Sequence, residues 1–455
     1  MKIDAIQLKH ALHFADLKLN FNDKPITLIL GDQSSGKTGI LKFTYQALTW
    51  FAARYKDSRA AGVVMQDQDI MFTRLQSKID IRVHVPPDIG TLNASSEAGD
   101  KSLTTCDWQI YKTLNSHGIG TCKAETHQLD NLIELYHNAL KHDQQQGLPL
   151  IAYYPAERFV SEMNIQSKNN PAVFQTSHAY EISTIPYTTF NRFFEWFREI
   201  SDIENAQIAQ LFQQLVSHPS IQKNKENDFL QHLLNAQKQM NAPSLDALKQ
   251  ALSTVLPSFE DIYVQYQPKL QLMVSYAEKT MLYQQLSNSV KNWIALVGDI
   301  VRRLCLLNPK SLYPCLEGDG ILLIDAIDHQ LDQNTSQVIL QRLHQAFPRL
   351  QIIATGNRTE LLEHATEYQC LKLENKQLFD IQLQPLQEKF DTIYENLVFN
   401  EEVIEADALT EPESESVTPK SLLEQIQQHL TLEQQTELLH LMQQQDDTSS
   451  SRPIS

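Results

Sequence analysis

Residues 31 to 38 read GDQSSGKT, a G-x-x-x-x-G-K-[ST] loop made of Gly31, Asp32, Gln33, Ser34, Ser35, Gly36, Lys37 and Thr38. The apolar run ITLIL precedes it, and a helix-forming stretch, GILKFTYQAL, follows it. Glycines in such a loop let the backbone curl until successive N–H groups point inward, at the positive end of the helix, where an anion binds. Lys37 is expected to reach the β- and γ-phosphates of a nucleotide, and Thr38 to hold Mg²⁺ through its hydroxyl. A second chemical element lies far downstream. GILLID, residues 320 to 325, is a buried-strand pattern that ends in a carboxylate. Many core strands end in Asp, so this run says little alone; paired with the loop, it makes Asp325 the expected metal-side acid, on a strand beside the first. The two halves together imply ATP and Mg²⁺ as ligands.

The elements that must carry these residues can be read from periodicity. IDAIQL and LKLNF alternate as an antiparallel hairpin, and ITLIL, LPLIAYY, GILLID and QIIATG are continuous apolar runs suited to strands buried on both faces. The implied fold is α/β with a mixed sheet. Residues 60 to 150 mix short strands with polar loops and read as an inserted lobe. Residues 189 to 255 read as a helical insertion, in which Phe193, Phe197, Ile200, Ile208, Leu211 and Leu215 fall near one face. Within it, APSLDALKQALSTVLP predicts a helix with Ser244 as N-cap and Pro257 just past its end. A heptad pattern is not sustained long enough for a coiled-coil arm. The head is expected to span residues 1 to 398. Seven acids between 401 and 415, among serines and prolines, predict a solvated linker over 399 to 419. Residues 420 to 445 read as two amphipathic helices carrying Leu422, Leu423, Ile426, Leu438, Leu439 and Met442, and 446 to 455 as a disordered tail.

Bulk properties exclude several classes. The chain has 455 residues, 42% of them hydrophobic and 20% charged, enough for a sizeable core. Its net charge of -17 disfavours non-specific nucleic-acid binding over the whole surface, although a local basic groove is compatible with it. No run of about 20 apolar residues could span a bilayer, and MKIDAIQLKH has no secretion-signal core, so a cytoplasmic protein without a membrane partner is expected. Five cysteines with no C-x-x-C pair argue against a disulfide framework. Cys106, His117, Cys122 and His127 lack the short first spacing of a zinc site, which favours a polar surface lobe there.

GDQSSGKT, IAYYPAERF, FNRFFEWFREISDIENAQ, LSNSVKNWIALVGDIVRRLCLLNP, LLIDAIDHQLD and QIIATGNRTELL fall in the order found in RecF/SMC-like (ABC-type) ATPases. The chain resembles most closely the short-armed group that includes the ATPase subunits of bacterial antiviral Septu and retron systems. The resemblance covers residues 1 to 380, and FFEWFRE followed by DIEN is its most distinctive piece. It implies an ABC/SMC-like head that sandwiches ATP between two copies. In that arrangement a signature loop, L-S-x-G in the family and Leu286, Ser287, Asn288, Ser289 here, meets the γ-phosphate held by the partner. Ser289 replaces the family's glycine. The family's Asp-Glu pair is Asp325-Ala326, so the general-base position holds a methyl group that cannot accept a proton. The family's γ-phosphate histidine is Asn357, which can hydrogen-bond but not carry charge. D-x-H-L-H-P has become DHQLDQ, with Asp328 left as the implied dimer-contact carboxylate.

Two origins for Ala326 stay open: a substitution made to trap ATP, or natural decay of the whole site, which the accompanying changes at 289, 330, 332 and 357 favour. Either way no catalytic residue is intact, and slow hydrolysis is expected. The resemblance implies an ATP-binding subunit, a homodimer or higher homo-oligomer, that senses infection or regulates a separate HNH-type effector nuclease. The chain shows no H-x-x-x-H-N metal cluster of its own, and no nuclease domain is expected in the stretch after residue 395. DNA or a retron nucleic acid is left open as a ligand. The competing reading, an active RecF-type DNA-repair ATPase, calls for the base, glycine and histidine that are all replaced here.

Overall fold

The computed structural model describes residues 1–93, 102–115, 120–143, 145–160, 174–181, 187–188, 190–217 and 243–381. The expected acidic linker, the amphipathic pair at 420 to 445 and the terminal tail lie outside the described residues, as does His117. The chain divides into two units, Met1–Leu383 and Gln384–Ser455.

The two largest sheets frame the head. The first is antiparallel. Strands β1 (Lys2–Ala11) and β2 (Phe14–Asn20) form the expected hairpin, and β4 (Gln76–His84), β5 (Thr105–Leu114) and β6 (Gly120–Glu125) continue it in the order β2-β1-β4-β5-β6. The stretch expected as an inserted lobe at 60 to 150 thus adds three strands to the hairpin's sheet. β1 exposes a second edge that β4 pairs along its length, from Lys2 with His84 to Lys9 with Lys78. β4 and β5 also alternate buried and open residues, as a sheet with one packed face requires. Helix α2 (His127–His142), not foreseen from the sequence, covers this sheet with Leu129, Leu132, Ile133 and Tyr136.

The second sheet carries the chemistry. Its order is β14-β13-β3-β12-β11-β7, with β3 at Ile26–Leu30, β7 at Leu150–Tyr154, β11 at Gly320–Ile324, β12 at Leu350–Gly356, β13 at Gln369–Glu374 and β14 at Gln377–Asp380. The five strands from β13 to β7 are parallel. β3, β7, β11 and β12 are buried at every position, which explains their unbroken apolar sequences. The phosphate-loop strand and the Asp325 strand are not neighbours, contrary to expectation. β12 lies between them, with Leu30 opposite Gly356 on one side and Ile324 opposite Ala354 on the other. All four central strands end at this edge, where open parallel sheets bind ligands.

Helix α1 (Lys37–Lys56) and helix α5 (Asn288–Leu307) pack against β7. Helices α3 (Asn191–Ser217) and α4 (Pro243–Val255) flank α5. Phe193, Phe197 and Ile200 are buried in the chain's own core and Ile208 is 43% exposed, while the side chains of Leu211 and Leu215 lie outside the described residues. α4 starts at Pro243, which suits the first helical position, placing Ser244 inside the helix instead of at its cap. A three-stranded antiparallel sheet, β8 (Phe259–Gln265), β9 (Gln271–Tyr276) and β10 (Lys279–Leu282), leads into α5. Helix α6 (Gln333–Ala346) connects β11 to β12, with Asp332 as its N-cap accepting from the Thr335 N–H at 2.8 Å. Inside the core, Asp299 of α5 receives Arg302 at 2.9 Å, Arg303 at 2.8 Å and the Tyr154 hydroxyl of β7 at 2.9 Å. Burial alone would raise the Asp299 carboxyl; the charges of Arg303 and Arg302 outweigh it and hold the group well below the usual carboxylate range. Among the described residues, no helix is long and apolar enough to cross a membrane.

Candidate nucleotide site

The loop after β3 curls as its composition demands. Ser34 has φ 62° and Gly36 φ 111°. A Cβ on Gly36 would stand 2.2 Å from His13 Nε2 and 2.8 Å from the Phe14 ring, so both the backbone angle and the β1–β2 hairpin require glycine there. Gly31 approaches closely too: a Cβ would lie 2.7 Å from the Leu373 carbonyl. Asp32, Gln33, Ser34 and Thr38 are exposed and Ser35 is half-buried, so the loop faces outward at the sheet edge. Lys37 is folded back into the curl. Its Nζ donates to the carbonyls of Gly31 at 2.6 Å and Asp32 at 2.8 Å and to Ser35 Oγ at 3.3 Å. Burial lowers the pKa of its ammonium, while the carboxylates of Asp325, Asp328 and Asp32 oppose that. The fold thus brings together Lys37 and the acid at the end of β11, as the two sequence motifs imply.

Asp325 is 2% exposed. Its Oδ1 accepts from the Thr355 hydroxyl at 2.5 Å, and its Oδ2, buried, has no hydrogen-bond partner. A buried carboxylate oxygen left unpaired is costly unless a cation or an ordered water completes it. With the exposed Thr38 hydroxyl, it gives an all-oxygen donor set suited to Mg²⁺, which keeps several waters and takes few protein ligands. The residues present therefore fit the metal.

Ala326 follows in a left-handed conformation, φ 44°. Its N–H donates to Thr355 Oγ1 at 2.9 Å and its carbonyl accepts from Arg158 at 3.0 Å, while its methyl offers neither proton acceptor nor donor. Asp328, the expected dimer-contact carboxylate, is 5% exposed, and its Oδ2 accepts from the backbone N–H groups of Asn357 at 2.8 Å and Arg358 at 3.0 Å. Asn357 itself is exposed, at the end of β12. Ser287 caps α5, accepting from the Val290 N–H at 3.3 Å, and stands exposed with Asn288 at the helix start; Ser289 is half-buried. As a cap the Ser287 hydroxyl acts as acceptor, so its own proton can still be donated to an anion.

Three functional positions had no sequence signal of their own. Thr355 lies in the strand between the two halves of the site. Arg158, just past β7, is 6% exposed and, among the described residues, donates to main-chain carbonyls: Pro155 at 2.9 Å, Asp325 at 2.6 Å and Ala326 at 3.0 Å. Asn292 of α5 donates to Gln330 Oε1 at 2.7 Å and lies 3.5 Å from the Arg158 carbonyl. The nearest hint is the arginine in IAYYPAERF, a basic residue directly after a fully buried strand.

Residues 5–260 match the AAA_23 family model, an AAA domain. Retron Ec83 probable ATPase of Escherichia coli is 26% identical over 470 aligned positions, covering 90% of this chain and 82% of that protein. Retron Vc95 probable ATPase of Vibrio cholerae serotype O1 biovar El Tor is 25% identical over 397, covering 81% of this chain and 73% of that protein. Among solved structures, the SmcHead bound to the C-winged helix domain of ScpA is similar at 12% identity and TM-score 0.45, covering 86% of this chain and 99% of that one. The recombination mediator protein RecF-ATPrS is similar at 12% identity and TM-score 0.36, with 84% and 98% covered.

Proposed function

Because the chain belongs to the AAA-domain family, we propose that it is the ATP-binding subunit of a bacterial antiviral defence system, in which nucleotide closes two or more copies on one another and so regulates a separate effector nuclease. Hydrolysis by this chain is slow or absent. One observation carries the nucleotide half of this reading: an intact phosphate loop, with its lysine, faces a buried carboxylate whose Oδ2 is unpartnered. The retron probable ATPases support the setting.

The chain's own groups act as follows. Arriving polyphosphate replaces the carbonyls of Gly31 and Asp32 as partners of the Lys37 ammonium, and the loop N–H groups take the phosphate oxygens. Thr38 and Asp325 would hold Mg²⁺, which would supply positive charge against the phosphates. At residue 326 nothing takes a proton from the attacking water, and a general base contributes typically about 10²–10⁴-fold. The exposed Ser287 hydroxyl and the N-terminus of α5 reach the γ-phosphate only from a second copy. Binding and release of ATP, in place of turnover, then set the state of the assembly.

Lys37→Ala removes a charge from the polyphosphate site. The expected result in a fluorescent-ATP titration is loss of binding by the variant, with its fold retained by circular dichroism. Unchanged affinity removes the site assignment. Phosphate release by the unmodified chain at about 1 s⁻¹ or faster, abolished in the variant, removes the slow-hydrolysis reading.

A further inference from the structure

The Asp325–Ala326 turn is gripped from two sides by groups that belong to neither sequence motif. On one side the Thr355 hydroxyl donates to Asp325 Oδ1 at 2.5 Å and accepts from the Ala326 N–H at 2.9 Å. On the other, the Arg158 guanidinium holds the main-chain carbonyls of Asp325 at 2.6 Å and Ala326 at 3.0 Å, and anchors itself on Pro155 at 2.9 Å. A guanidinium suits this task because it presents several N–H groups in a rigid planar fork; an ammonium on a flexible stem cannot match that pattern. Arg158 makes no ion pair among the described residues, although burying a cation without a paired carboxylate is unfavourable. Burial pulls it down to about 10, and the nearby charges of Asp325 and Asp328 oppose that. A hydrophobic residue would fill the same volume without that cost, so the retained charge needs a positional reason.

We propose that Arg158 and Thr355 are a positioning pair that orients Asp325 so that its unpaired Oδ2 serves the Mg²⁺ side of the nucleotide. The inference deepens the proposed nucleotide site and rests on it. With the main chain fixed by Arg158 and Oδ1 taken by Thr355, the carboxylate has one oxygen left and little rotational freedom. Groups that orient a metal's carboxylate ligand typically contribute about 10–100-fold to metal affinity. The pair also reaches the helix that carries Ser287, because Asn292 lies 3.5 Å from the Arg158 carbonyl and donates to Gln330 at 2.7 Å.

The test compares Arg158→Lys and Thr355→Val with the unmodified chain by titrating a fluorescent ATP analogue in Mg²⁺ and again in EDTA. Thr355→Val preserves shape and is the variant that decides if Arg158→Lys does not fold. The expected result is a gain in affinity from Mg²⁺ that falls about 10–100-fold in the variants, while affinity in EDTA stays within about twofold, because the phosphate loop is untouched. An Mg²⁺ gain equal to that of the unmodified chain overturns the proposal, and so does an equal loss in Mg²⁺ and in EDTA, which marks a merely structural role. Lys37→Ala keeps the two readings apart: it loses binding in both solutions if the nucleotide site is right. An unmodified chain that binds the analogue in neither solution overturns the nucleotide site and this inference together.

Discussion

At residue 326 the backbone geometry and the side chain tell different stories. The main chain of Ala326 is held at φ 44° by Thr355 and Arg158, while the methyl makes no polar contact. Ala326→Glu places a carboxylate next to Asp325, and its backbone meets the same two partners. The expected outcome is nonetheless little recovery of steady ATP hydrolysis, measured by phosphate release. Asn357 still cannot carry charge, and Ser289 still adds a side chain where close backbone approach needs glycine. Groups that act as a unit are strongly non-additive, so repair of one position among three restores little. Recovery to about 1 s⁻¹ or faster from that single change would instead make Ala326 the sole defect.

At the scale of elements, α5 links the signature end to the core through one buried charge cluster. Asp299 is the acceptor for Arg302, Arg303 and the Tyr154 hydroxyl. Asp299→Ala leaves two buried guanidinium groups without their carboxylate and is expected to destabilise the head by about 3–5 kcal/mol, read from urea unfolding at pH 7. The pKa of Asp299 is depressed in the folded state, so its contribution is complete above the unfolded value of about 3.9 and is lost as pH falls towards its folded value. The difference between variant and unmodified chain should therefore narrow below about pH 4. How much could be read in advance follows the same physics. The phosphate loop, the four buried strands and the hairpin are local patterns of two or more residues, and each was legible. Arg158 and Thr355 were not, because they bind main-chain atoms or a carboxylate distant in sequence and leave no spacing to detect. The sheet order was missed for a related reason: ITLIL, GILLID and QIIATG are equally apolar, so nothing in them ranks their neighbours. Nor was the internal role of Asp328 visible, since an acid that binds backbone N–H groups looks like any acid after a strand.

For the molecule as a whole, Ser287 supplies the test of assembly. It is exposed at the start of α5, and an ATP held by its own chain already has the Lys37 loop. Ser287→Arg should leave ATP affinity of the single chain intact, cost about 0.5–2 kcal/mol through the lost cap, and prevent the Mg-ATP-dependent rise in mass that sedimentation of the unmodified chain is expected to show. A monomer with and without ATP in the unmodified chain would reject assembly through nucleotide. The conformation of residue 326 has a consequence at this scale. Both of its hydrogen bonds use main-chain atoms, so those two contacts survive any side chain that tolerates the left-handed φ of 44°. On the proposed reading, the chemistry at residue 326 can then be changed separately from the contacts that hold its turn.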